Sequence, residues 1–165
     1  LQDEFGTGLT VEGVFYNPNI HPLLEFRKRL KAVKVLNERL KIDISYVEEY
    51  ELDGFLRSCW QEGNERCRRC YRQRFERVAL LAAERGYQHF SSTLCVSRHQ
   101  NHEWIEREGH EAAEKAGVTF LYRDLREPAI IPPRRSGIYA QQYCGCIFSE
   151  QERYMDTRKE LYRGG

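Results

Sequence analysis

Apolar positions along this chain change period several times, and each change marks an element. Val11 to Tyr16 is a β-rich run that stops at Asn17-Pro18-Asn19, where Pro18 pushes Asn17 out of the helical region and ends a strand. Beyond His21-Pro22, the residues Leu23, Phe26, Leu30, Val33, Leu36 and Leu40 recur at three- and four-residue spacing, which predicts a helix with one buried face. Ile42, Ile44 and Tyr46 alternate with polar residues and predict a strand. The connection from Glu48 to Arg66 is mixed and charged, and says little about its shape. A helix is predicted from about Cys67, with Tyr71, Arg74, Phe75, Val78, Leu81 and Ala82 on or near one face and Gly86 as its C′ residue. His89 to Val96 reads as a strand, Asn101 to Ala116 as an amphipathic helix closed by Gly117, and Val118 to Tyr122 as the next strand. Strands alternating with helices predict an α/β fold with a mainly parallel sheet in a Rossmann-like three-layer form, as a single domain over residues 1–165.

The segment from Asp124 to Ser136 breaks that pattern, because Pro128, Pro132 and Pro133 forbid a regular helix or central strand across it. Beyond it come Ile138-Tyr139, a Cys144-Gly145-Cys146 turn, and Ser149-Glu150-Gln151-Glu152, whose capping-box spacing predicts the start of a final helix. In doubly wound sheets, ligands gather at the carboxyl ends of strands. Asn17 to His21, Ser97-Arg98-His99 and Arg123-Asp124 fall there on this reading.

Composition narrows the class. With 26 Lys and Arg against 25 Asp and Glu, the formal charge is +1, so there is no global basic field of the kind a general nucleic-acid binder shows, and only local stripes remain. No apolar run approaches membrane-spanning length, and the start lacks the basic-then-apolar grammar of a signal peptide, so a cytoplasmic location with no membrane partner is expected. An α/β domain of 165 residues buries an adequate core without staples. Its six cysteines therefore need another explanation, and in a reducing compartment close-spaced thiols more often bind metal or do redox chemistry. The chain opens at Leu1 rather than Met, in what reads as the end of a helix, which predicts an amino-terminally truncated sequence.

Four of the cysteines form two tight pairs, Cys67-Arg68-Arg69-Cys70 and Cys144-Gly145-Cys146. A C-x-x-C at a helix amino terminus brings two sulfurs within reach of one metal or of each other, and the exposed amides there favour thiolate. Zinc, iron–sulfur and redox readings all fit it. A disulfide across one glycine closes a small strained ring of the labile, catalytic kind, and the same two thiols can also ligate metal. All four together would make a Cys₄ structural zinc site. Cys59 and Cys95 stand alone, and Cys95 reads as a buried small hydrophobe.

Four strings occur here in a family's order: Phe15-Tyr16-Asn17-Pro18-Asn19-Ile20-His21-Pro22, Arg66-Cys67-Arg68-Arg69-Cys70-Tyr71, Ser91-Ser92-Thr93-Leu94 on a strand, and Tyr143-Cys144-Gly145-Cys146-Ile147-Phe148-Ser149. The chain resembles the QueH-type epoxyqueuosine reductases over essentially its whole length. That resemblance implies a tRNA-modifying oxidoreductase that performs the last step of queuosine synthesis, reducing the epoxide of epoxyqueuosine at the wobble position to the alkene. Two electrons and two protons enter and water leaves. It also implies a [4Fe–4S] cluster held by an amino-terminal cysteine pair together with Cys67 and Cys70, with Cys144 and Cys146 in the same active-site region as a redox-active dithiol or as ligands to an additional iron. An electron donor is required, and its identity stays open.

Departures from the family shape further expectations. Its first strand and cysteine loop are not found before Leu1, so the chain as it stands is expected to be inactive or poorly metallated. Ser97-Arg98-His99-Gln100 stands where the family usually carries a lysine, and Leu125-Arg126-Glu127-Pro128 where an aromatic residue is common. Candidate substrate contacts are Asn17, Asn19, His21, Arg72 and Tyr139, each with a plainer alternative. The asparagines and His21 can simply shape their turn. Arg68, Arg69, Arg72 and Arg74 can meet tRNA phosphates or form a solvated helix face, and Arg134 and Arg135 carry the same alternatives. Tyr139 and Tyr143 can stack on the substrate or pack beside a buried turn. His99 and His102 read as surface residues. Two other readings stand beside the reductase: a zinc-stabilised RNA- or nucleotide-binding α/β domain without redox activity, and an inactive truncated remnant.

Overall fold

A computed structural model describes residues 10–126, 137–139 and 141–155. Among the described residues the chain is α/β, with five helices and short parallel strand pairs, and its backbone divides into two compact units. Residues 1–50 with 137–165 form one, and residues 51–136 the other.

In the first unit, β1 (Glu12–Phe15) leads into α1 (Leu23–Leu40), which returns the chain to β2 (Asp43–Tyr46). The strands pair in parallel, with Glu12 opposite Asp43 and Phe15 opposite Tyr46. A parallel pair needs a crossover of this kind, and the α1 stripe supplies the apolar face that covers it. Phe15, Ile20, Phe26 and Leu30 make the buried core, with Leu23, Val33, Tyr46 and Tyr50 against it, and Phe15 meets Phe26 edge-on at 5.7 Å. The far end of the predicted stripe differs: Leu36 and Leu40 are exposed. Near its start the helix also buries two charged residues, Glu25 and Arg29. The last described element of the unit is α5 (Ile147–Tyr154).

The second unit begins with α2 (Leu52–Cys59), followed by a 3₁₀ segment, Trp60–Glu65, broken at Gly63. Residues 48–66 are mixed and charged, and their local pattern does not specify this shape. Leu52, Phe55, Leu56 and Cys59 carry helical spacing there, and Phe55 and Cys59 are buried. Then follow α3 (Arg66–Glu84), β3 (His89–Phe90), α4 (His102–Ala116) and β4 (Thr119–Phe120), with β3 and β4 parallel. Gly86 and Gly117 end the two helices at φ 76° and 70°, as their spacing predicts. Tyr71, Phe75, Ala79, Phe90, Ile105 and Phe120 anchor the core. Phe120 packs directly on α4 at Gly109, where its ring leaves no room for a Cβ.

Both predicted strands of this unit are shorter than expected. His89 to Val96 pairs only as far as Phe90, and Thr93–Val96, with the Ser91 to Leu94 string, is not strand but a 3₁₀ turn and its approach. Ser92 decides it: its hydroxyl accepts the Leu94 amide at 3.2 Å and its carbonyl accepts that of Cys95, a local alternative to the sheet ladder. The strand predicted at Val118 to Tyr122 reduces to Thr119–Phe120. Pro128, Pro132, Pro133, Arg134 and Arg135, and most of the predicted proline loop, lie outside the described residues. Among the described residues, no helix is long and apolar enough to cross a membrane.

Candidate active site

In the first unit, the Cys144-Gly145-Cys146 turn sits at the amino terminus of α5 and is fastened to α1. Cys146 is the N-cap of α5: its Sγ accepts the Ser149 amide at 3.3 Å, and its carbonyl accepts the Ser149 hydroxyl at 2.9 Å. The helix therefore starts two residues before Ser149, and the predicted capping box is replaced by a thiol cap. Sulfur is a weak acceptor, but Cys146 is buried, where an uncapped amide is costly. Burial pushes its thiol pKa up. Cys144 is half-buried, so the two thiols differ in access.

The fastening comes from Arg29. Its Nε donates to Glu25 Oε1 at 2.7 Å, Nη1 to Gln141 Oε1 and to the Cys144 carbonyl at 2.8 Å each, and Nη2 to the Tyr143 carbonyl at 3.0 Å. The Tyr139 hydroxyl donates to Glu25 Oε2 at 2.7 Å, and that of Tyr143 to the His21 carbonyl at 2.7 Å. The His21 amide in turn donates to the Gly145 carbonyl at 2.7 Å. Gly145 has φ 118°, open only to glycine without strain. Burial, then the Glu25 carboxylate, pushes the Tyr139 phenol up to about 12, and burial also raises Tyr143. His21 is buried beside Tyr50, sharing a 3.2 Å hydrogen bond through Nδ1, and burial lowers its pKa despite a backbone hydrogen bond at Pro18.

Four of the five expected substrate contacts fall in this unit. Asn17 is half-buried, and its carbonyl accepts the Ile20 amide at 3.2 Å. Asn19 is buried, with no hydrogen-bond partner for Oδ1 among the described residues. Tyr139 is 40% exposed and tied to Glu25. Sequence reasoning missed Glu25, Arg29 and Gln141. The only signal was an acid and a base four residues apart, each one position before a core residue, Phe26 and Leu30.

In the second unit, Cys67 is half-buried and Cys70 buried, in the first two turns of α3. Arg72 reaches across to α4 while its side chain stays partly exposed. Glu108, fully buried, takes Arg68 Nε at 2.5 Å on one oxygen and Arg72 Nε at 2.7 Å on the other. Arg69 is exposed and Arg74 half-buried. His102, expected at the surface, is half-buried and bonds Tyr122 and the Ser97 carbonyl through its two ring nitrogens, while His99 is exposed. Cys95 is buried, as read, and burial raises its thiol pKa. There is no disulfide among the described residues, which include all six cysteines, and no group of three or more His, Cys, Asp or Glu placed to hold a metal ion.

A family model described as Epoxyqueuosine reductase QueH matches residues 2–152, a span that takes in both cysteine pairs. The chain belongs to the epoxyqueuosine reductase QueH family. By that membership it is an oxidoreductase. Among similar QueH proteins, that of Dehalococcoides mccartyi is 36% identical over 152 residues, covering 89% of this chain and 82% of the relative. The Thermotoga maritima QueH is 36% identical over 157 residues, covering 86% and 80%. The Staphylococcus epidermidis QueH is 31% identical over 162 residues, covering 88% and 68%. All three bear the name epoxyqueuosine reductase.

Proposed function

We propose that this chain reduces epoxyqueuosine in tRNA to queuosine, with Cys144 and Cys146 as its redox-active pair. The observation that carries the reading is the family match across residues 2–152, which includes both C-x-x-C and C-x-C. The chemistry balances on the pair itself. Both epoxide C–O bonds break and the oxygen leaves as water, while two thiols become one disulfide and so supply two electrons and two protons. An external electron donor then restores the dithiol. The different burial of Cys144 and Cys146 suits this role, because the half-exposed thiol is reachable and the buried one is shielded from side reactions.

An iron–sulfur cluster fits the second unit in donor type: Cys67 and Cys70, three residues apart at a helix start, would supply two of the four thiolates that a [4Fe–4S] cluster takes. When bound there it would supply one-electron transfer, and an additional iron at Cys144 and Cys146 is the alternative to a disulfide-cycling pair. A tRNA substrate would place the protein in the cytoplasm. The match running through both units supports reading residues 1–165 as one reductase domain, and the parallel strand pairs with helical crossovers support a Rossmann-like three-layer form.

The test is anaerobic reconstitution of the full-length protein with iron and sulfide, reading iron, zinc, visible absorbance and turnover of epoxyqueuosine tRNA. Cluster absorbance lost in Cys67→Ser, and turnover lost in both Cys67→Ser and Cys144→Ser, is the expected result. Tight zinc, no cluster absorbance and an intact epoxide would replace the reductase reading with a zinc-stabilised RNA-binding domain.

A further inference from the structure

Glu25 and Arg29 each keep only 8% of their side-chain surface. Removing an ion pair from water costs several kcal/mol per ion, so a pair this dry is tolerated only when its remaining hydrogen-bonding groups are satisfied. Here those groups all run to one segment. The guanidinium gives three of its other four donor hydrogens to Gln141 Oε1 and to two successive carbonyls, those of Tyr143 and Cys144. The second oxygen of Glu25 takes the Tyr139 hydroxyl. A planar fork can hold two adjacent carbonyls in a fixed relation, which the single point charge of an ammonium cannot. The turn also presses directly on the guanidinium, since a Cβ at Gly145 would lie 2.9 Å from Arg29 Nη1.

We infer that Arg29, oriented by Glu25, is the positioning residue of the Cys144–Cys146 pair. It holds the turn with Cys144 half-exposed and Cys146 seated as the cap of α5, so that the two thiols stay inequivalent. The inference rests on the reading of the pair as the redox centre. Arg29 itself does not meet the substrate; it acts through the backbone of residues 143 and 144.

Arg29→Lys keeps a positive charge beside Glu25 and loses the fork, so it separates positioning from simple charge neutralisation. Limited alkylation of the folded protein with iodoacetamide, read peptide by peptide by mass spectrometry, reports each thiol. Cys144 should be modified well ahead of Cys146 in the wild type. In Arg29→Lys that preference should fall by about tenfold, with kcat for epoxide reduction falling by a similar factor and KM for the tRNA unchanged. Gly145→Ala disturbs the same contact from the turn side and serves if Arg29→Lys does not fold; the same loss of preference is expected. Folded variants that keep the wild-type labelling preference would overturn the inference. Cys144→Ser and Cys146→Ser run beside them. If both retain full turnover, the redox reading falls, while the labelling ratio still decides whether Arg29 positions the turn.

Discussion

Glu108 shows how one residue can carry a packing interface. It is wholly buried on α4, and both its oxygens are claimed by guanidiniums from α3 that remain 21% and 30% exposed. Burial by itself would raise its pKa, but the hydrogen bonds and charges of Arg72 and Arg68 outweigh that, and the net shift is downward. Removing one member of a buried ion pair costs about 3–5 kcal/mol when the partner is left dry. The partial exposure of both arginines lowers that expectation. Glu108→Gln should therefore destabilise by about 2–4 kcal/mol in urea unfolding at neutral pH. A loss under about 0.5 kcal/mol, the range of an ordinary surface substitution, would show that the two arginines do not depend on it. The same bonds bear on orientation, because Glu108 holds Arg72 through Nε and Nη2 while its side chain stays 30% exposed.

At the scale of elements, the start of α5 links structure to chemistry. A thiol caps this eight-residue helix, and the capping atom belongs to the proposed redox pair. Serine is among the strongest N-caps and alanine among the weakest, with about 1 kcal/mol between them. Cys146→Ser should thus keep the wild-type melting temperature while abolishing turnover, whereas Cys146→Ala should lose both stability and turnover. Equal melting temperatures for the two variants would mean that the Sγ to Ser149 contact does not hold the helix. The same element explains a sequence misreading. Ser149-x-x-Glu152 has the capping-box spacing, yet helical residues begin at Ile147, because the turn fastened by Arg29 delivers the chain to α5 earlier than local spacing implies. The helix at Leu52–Cys59 was obscured for a related reason: Gly54 and the surrounding charges dilute a stripe that only the burial of Phe55 and Cys59 makes plain.

For the whole molecule, acid should act in two stages. His21 is buried with its pKa held below the ordinary 6.5. Between those two values the unfolded chain binds the proton and the folded one does not, so stability is full above pH 6.5 and falls as pH drops through the folded value, at up to about 1.4 kcal/mol per unit. Glu108, with its pKa below the ordinary 4.5, adds a second loss only below that pH. Melting curves from pH 8 to 3 should show both stages, and His21→Gln should flatten the first and leave the second. A stability that stays level from pH 7 to 5 would exclude the buried neutral imidazole.

Period and punctuation alone determined that this is an alternating α/β chain, where α1, α3 and α4 run, and that the Cys67 and Cys70 pair opens a helix. Those properties depend on neighbours within one or two turns, so they are legible without a fold. Strand lengths, the cap of α5 and the partners of Glu25, Arg29, Arg72 and Glu108 were decided only by tertiary structure. A charged residue beside an apolar stripe reads as solvated until another segment covers it. Arg29 reaches residues 141, 143 and 144, more than a hundred positions away, and no local pattern encodes a contact between parts of the chain that meet only after folding.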